Sequence, residues 1–106
     1  MNERRHEPRI PLENMYYVTV VSANRELPSV LLDLSVSGAR VGLPPNAALP
    51  PVGSEVSIKD PVLPLLDKRT ATVMWGMGVQ LGVRFTQRID ASLDEMAKLL
   101  QSEIFY

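Results

Sequence analysis

The chain has 106 residues, 45% of them apolar and 22% charged, which fits one globular domain with a single core and excludes wholesale disorder. A formal net charge of −1 gives no global pull toward nucleic acid or an anionic membrane, and the lack of cysteine excludes disulfides, thiol catalysis and cysteine-ligated zinc. The start is polar and no long apolar run follows, so neither a signal peptide nor a membrane insertion is expected, and the cytoplasm is the expected location.

Residues 1–11 read as a flexible arm carrying Arg4, Arg5, His6, Arg9 and two prolines, and residues 12–106 as the folded domain. Residues 15–21, Met-Tyr-Tyr-Val-Thr-Val-Val, are aromatic and β-branched and predict a first strand. Asn24-Arg25-Glu26 predicts a polar turn, with residues 27–32 as the partner strand of a hairpin. Asp33-Leu34-Ser35-Val36-Ser37-Gly38 reads as a strand-end turn, and Ala39, Val41 and Leu43, alternating with Arg40 and Gly42, as the next strand. Residues 52–59 predict another, with Val56 and Ile58 inward. The proline-broken apolar run 60–66 is expected to be a loop packed on the core. Residues 68–76 and 79–85 predict a hairpin around Gly76-Met77-Gly78, with Val79, Leu81, Val83 and Phe85 on one face.

The tail predicts a helix. Ser92-Leu93-Asp94-Glu95 fits a capping box, and Leu93, Met96, Ala97, Leu100 and Ile104 then fall on one helical face. Six short antiparallel strands with brief connections and one amphipathic helix favour a small closed barrel carrying the helix against it.

Enzyme chemistry finds little footing. His6 is the only histidine and lies on the arm, the acids are scattered, and Asp90, Asp94 and Glu95 are explained by the helix N-terminal dipole. No phosphate-binding glycine loop leads into a helix. No catalytic residue and no metal site is expected.

The arginines admit three readings: solvated charges at a terminus, a basic arm for nucleic acid, or ligands for a compact anion. Glu3 and Glu7 offset much of the arm's charge and no second basic block continues it, so a footprint of many phosphates is disfavoured. Asp33, Ser35 and Gly38 fit a turn that bonds its own backbone, which is also a pre-formed ledge for a ligand. Trp75 is the only tryptophan; a place at a rim would let a base stack on it, whereas Met74 and Met77 are expected in the core.

Arg5-His6-Glu7-Pro8-Arg9 followed by Asp33-Leu34-Ser35-Val36-Ser37-Gly38 resembles the paired Arg-x-x-x-Arg and Asp/Asn-x-Ser-x-x-Gly signature of PilZ domains, bacterial receptors for the second messenger cyclic di-GMP. Leu81-Gly82-Val83-Arg84-Phe85 is similar to the family's late strand, so the resemblance spans essentially the whole chain and fills every signature position. It implies a mainly β fold, a six-stranded antiparallel barrel with a C-terminal helix. It also implies binding of cyclic di-GMP, with Arg5 and Arg9 on phosphates and guanine Hoogsteen edges and Asp33, Ser35 and Gly38 holding a guanine from the other side. Arg4, directly before the first motif arginine, implies two mutually intercalated ligand molecules per chain instead of one. With no second domain, output would pass to an unidentified downstream protein. Two rivals are carried alongside: an adaptor of the same fold that works without nucleotide, and a nucleic-acid-binding barrel.

Overall fold

The computed structural model describes residues 9–12 and 16–104, with the side chains of 101–104 excepted. Arg4 and Arg5, and with them the expected mobility of residues 1–8, lie outside the described residues.

Seven strands and one helix make up the described chain: β1 (Ile10–Pro11), β2 (Tyr17–Ser22), β3 (Arg25–Leu34), β4 (Gly38–Gly42), β5 (Glu55–Lys59), β6 (Arg69–Met77), β7 (Gln80–Phe85) and α1 (Leu93–Ile104). All pairings are antiparallel, in the order β1-β3-β2-β5-β6-β7-β4, and β4 returns to pair with β3. Six strands therefore close into a barrel, as expected. Closure removes the unpaired edges that an open sheet would present.

The barrel forms because the strands alternate. Val18 and Val20 of β2, Leu27 and Leu31 of β3, Ala39 and Val41 of β4, Val56 and Ile58 of β5, Ala71 and Val73 of β6, and Leu81, Val83 and Phe85 of β7 are all buried in one cluster. Leu63 and Leu66 of the proline-broken loop join it, as do Met96 and Leu100 of α1. The capping box is made: the Ser92 N–H donates to Glu95 Oε1 (2.8 Å) and the Glu95 N–H to Ser92 Oγ (3.1 Å).

Several boundaries differ from the sequence expectation. Ile10 and Pro11, on the arm side of the predicted boundary, pair with Leu34 and Asp33 of β3. The β2–β3 turn is shorter than Asn24-Arg25-Glu26, because Arg25 and Glu26 already pair with Ser22 and Val21. Asp33 and Leu34 belong to β3 itself, so the turn before β4 is only residues 35–37.

Met74 and Met77 are exposed, against the expectation of core packing. Met74 faces outward by plain alternation after the inward Val73, and Met77, which counting by twos from Val73 would send inward, is turned out by an irregularity in the ladder. Val73 pairs with Val83 but Trp75 pairs with Gly82, leaving Met74 as an extra residue. A second such bulge lies at Leu32, between the pairs Leu31–Val41 and Asp33–Arg40. One inserted residue reverses which face every later side chain meets. Counting by twos from Leu31 and Val73, both buried, would send Asp33 and Trp75 into the barrel. The two bulges turn them to its outer face.

Candidate functional site

Asp33, Arg40, Gly82 and Trp75 form one row across four strands, since Asp33 pairs with Arg40, Arg40 with Gly82 and Gly82 with Trp75. The next outward row along the strands is Gly38, Arg84 and Thr72. Glycines at two of these outward positions leave a depression. A cavity of about 750 Å³ opens there, lined by Arg9, Asp33, Ser37, Gly38, Ala39, Arg40, Met74, Trp75, Gly82, Val83, Arg84 and Arg88.

Its charge is set locally. Four arginines face one carboxylate around this cavity, although the whole chain is net −1. Arg9 Nη1 donates to Asp33 Oδ1 at 2.9 Å and Arg40 Nε to Asp33 Oδ2 at 3.1 Å. The two arginine side chains are about half exposed (48% and 43%) while that of Asp33 is mostly covered. Both carboxylate oxygens thus have a charged donor, and both donors have open faces toward the cavity. Guanidinium groups in this arrangement suit bidentate hydrogen bonds to phosphate.

The turn between β3 and β4 is built by Ser35. It is fully buried, and its Oγ lies 3.2 Å from both the N–H and the carbonyl oxygen of Gly38, donating to the carbonyl and accepting from the N–H. The Ser35 N–H donates to the same Gly38 carbonyl at 2.8 Å. Ser35 therefore lies beneath the turn, and Ser37 is the serine that lines the cavity. The Phe85 N–H donates to the Ser37 carbonyl and the Ile89 N–H to that of Val36, which lashes the turn to the end of β7 and the segment after it. Gly38 is required by packing: a Cβ there would collide with the Val83 carbonyl oxygen across the ladder. Its place in the sequence motif is thus met first by close approach of β4 to β7.

Of the residues singled out in the sequence, the structure gathers Arg9, Asp33, Gly38 and Trp75 around one cavity and sets Ser35 just under its floor. Arg40, Arg84 and Arg88 were not singled out. Alternation does mark Arg40 and Arg84 as outward-facing, but only the ladder register brings them beside Asp33 and Trp75. Among the described residues no three His, Cys, Asp or Glu side chains are grouped to hold a metal ion, and no helix is long and apolar enough to cross a membrane.

Comparison with curated proteins gave no match. The family model of the PilZ domain, a receptor and adaptor domain of a cyclic di-GMP-binding family, matches residues 3–104. The match covers nearly the entire chain, and with the closed six-stranded barrel and its C-terminal helix it places this protein in the PilZ domain family.

Proposed function

We propose that this chain is a cyclic di-GMP receptor that, on binding, orders its N-terminal arm over the barrel and presents the resulting surface to a protein partner. The observation that carries the reading is the cavity itself, where four arginines, a carboxylate and the sole tryptophan meet on a chain with no excess of positive charge. A cyclic dinucleotide offers the matching chemistry: two phosphates for guanidinium groups, guanine N–H groups for a carboxylate, and flat purines for an indole.

In this account Arg5 and Arg9 take phosphates and guanine Hoogsteen edges. Asp33 accepts from a guanine N1–H and amino group, and Ser35 and Gly38 fix the turn that holds Asp33 and Ser37 in place. Trp75 stacks on a base, and Arg40, Arg84 and Arg88 add to the cationic wall. Arg4 supports an intercalated pair of ligands by stacking and by neutralising the extra phosphates. Asp33 already accepts from two arginines, one on each oxygen, and each oxygen keeps a further lone pair for a guanine N–H, or gives up its arginine to one. Release of Arg9 from Asp33 to a phosphate is the step that links binding to the arm, because Arg9 directly precedes β1.

The reading is tested by competition between ligands. Cyclic di-GMP is expected to bind in preference to GMP, and Asp33→Ala to weaken it at least tenfold, since charge-assisted hydrogen bonds contribute roughly 1.5–3 kcal/mol each. Binding of oligonucleotides that is steep in salt and survives Asp33→Ala would instead support a nucleic-acid barrel.

A further inference from the structure

We infer that Gly82 is a positioning residue of the cavity: its missing side chain gives the Trp75 indole a flat seat on β7 and so sets the height at which a purine can stack. The inference rests on the proposed role of Trp75 as a stacking surface and adds a residue on which that role depends.

Gly82 lies between Leu81 and Val83, both of which point into the barrel, so it belongs to the outer face. It is buried nonetheless. The cover is Trp75, its partner across the β6–β7 ladder. A Cβ built on Gly82 would fall on Nε1, Cε2 and Cδ1 of the indole, three contiguous atoms of the pyrrole ring, well inside van der Waals distance. The two atoms that flank Nε1 lie nearly as close as Nε1 itself, which an approach along the ring plane would not give, so the face of the ring, and not its edge, rests on the glycine. The opposite side is open: Trp75 is 40% exposed and lines the cavity.

Two features make this more than core packing. The bulge at Met74 spends an extra residue to turn the indole outward, where no apolar core needs it. On the other flank of Gly82, the ladder places Arg40, so the glycine separates a cation from an aromatic face with no side chain between them. Gly82 also does not need a glycine's backbone freedom, because its φ lies outside the left-handed region. Alanine is therefore tolerated by the β7 backbone, and its methyl acts by displacing the indole.

The test is a double-mutant cycle read by binding and by the emission of the single tryptophan. Trp75→Ala is expected to weaken cyclic di-GMP roughly five- to a hundredfold, the range for loss of one stacked base. Gly82→Ala is expected to weaken it about fivefold or more, to red-shift Trp75 emission in the ligand-free protein, and to cost nothing further in the Trp75→Ala background, where the methyl has room. Folding of the doubly substituted protein, checked by circular dichroism, guards the result should Gly82→Ala alone prove unstable. Unchanged emission and unchanged affinity in Gly82→Ala would overturn the seat, as would an equal loss with and without the indole. If the unsubstituted protein binds no cyclic di-GMP, the receptor reading fails and takes the positioning role with it, while the emission shift still reports the indole contact separately.

Discussion

Asp33 and Asp60 are both buried aspartates at strand ends of the same barrel, 9% and 1% exposed, yet their surroundings differ in kind. Asp60 is held by uncharged donors that belong to the fold: the Tyr16 hydroxyl (2.9 Å) on Oδ2, and the backbone N–H groups of Val62 (2.9 Å) and Leu63 (3.1 Å) on Oδ1. These anchor the loop that carries Leu63 and Leu66 into the core. Asp33 is held by two half-exposed arginines beside a cavity. Partners fixed in the backbone cannot be exchanged without unmaking the structure, whereas side-chain cations in contact with water can be. Burial alone therefore does not separate Asp60 from Asp33, the acid proposed to meet a ligand; the identity of the donors does.

The largest effect expected from this contrast is on stability. Asp60→Ala leaves three donors without their carboxylate, two of them backbone groups in a packed loop, and should destabilise the protein by about 3 kcal/mol in chemical denaturation. Asp33→Ala should leave stability within about 1 kcal/mol, because its arginines remain hydrated, while removing most of the ligand affinity. A mutant pair with these two effects exchanged would break the comparison. A smaller, salt-dependent effect is expected at the cavity's rim: Arg84→Gln should weaken cyclic di-GMP about threefold at low ionic strength, the difference shrinking as salt screens the charge.

The smallest effect belongs to an ion pair away from the cavity. Lys59 Nζ donates to Glu26 Oε2 at 2.7 Å on the exposed outer surface. The hydrogen bond to Glu26, and then its negative charge, raise the Lys59 ammonium above its usual 10.5. A raised amine contributes stability that is fully present below the unfolded value and lost as pH rises through the folded one. The difference in thermal midpoint between the unsubstituted protein and Glu26→Gln should thus be slight at neutral pH, begin to fall only above pH 10.5, and be lost as pH passes the raised value of the folded amine.

The barrel was legible in the sequence because alternation is a repeated signal: each of Val18/Val20, Val56/Ile58 and Leu81/Val83/Phe85 marks an inner face independently. The site was legible only in part. Motif residues identified Asp33 and Arg9, but the bulges at Leu32 and Met74 leave no trace in composition, since an extra leucine or methionine in an apolar run looks like any other. Those two insertions decide that Asp33 and Trp75 face outward, and the second also turns out Met77, which was assigned to the core; Met74 is exposed by alternation alone. Ser35 illustrates the converse: its motif position was legible, while its burial under the turn depends on the bonds to Gly38. Arg88 follows the last strand, and its approach to the cavity depends on the tie between Ile89 and Val36.

The central claim, that this cavity and the arginine arm together bind cyclic di-GMP, is tested most directly by isothermal titration calorimetry on protein freed of carried-over nucleotide, with Arg9→Ala alongside. Micromolar or tighter binding at about two ligands per chain, largely lost in the mutant, is expected if charge-assisted contacts and stacking together exceed the proposed cost of ordering the arm. A ratio near one would keep the receptor and remove the intercalated pair assigned to Arg4. No heat and no thermal stabilisation in folded protein would contradict the account and leave a PilZ domain that acts as an adaptor without nucleotide.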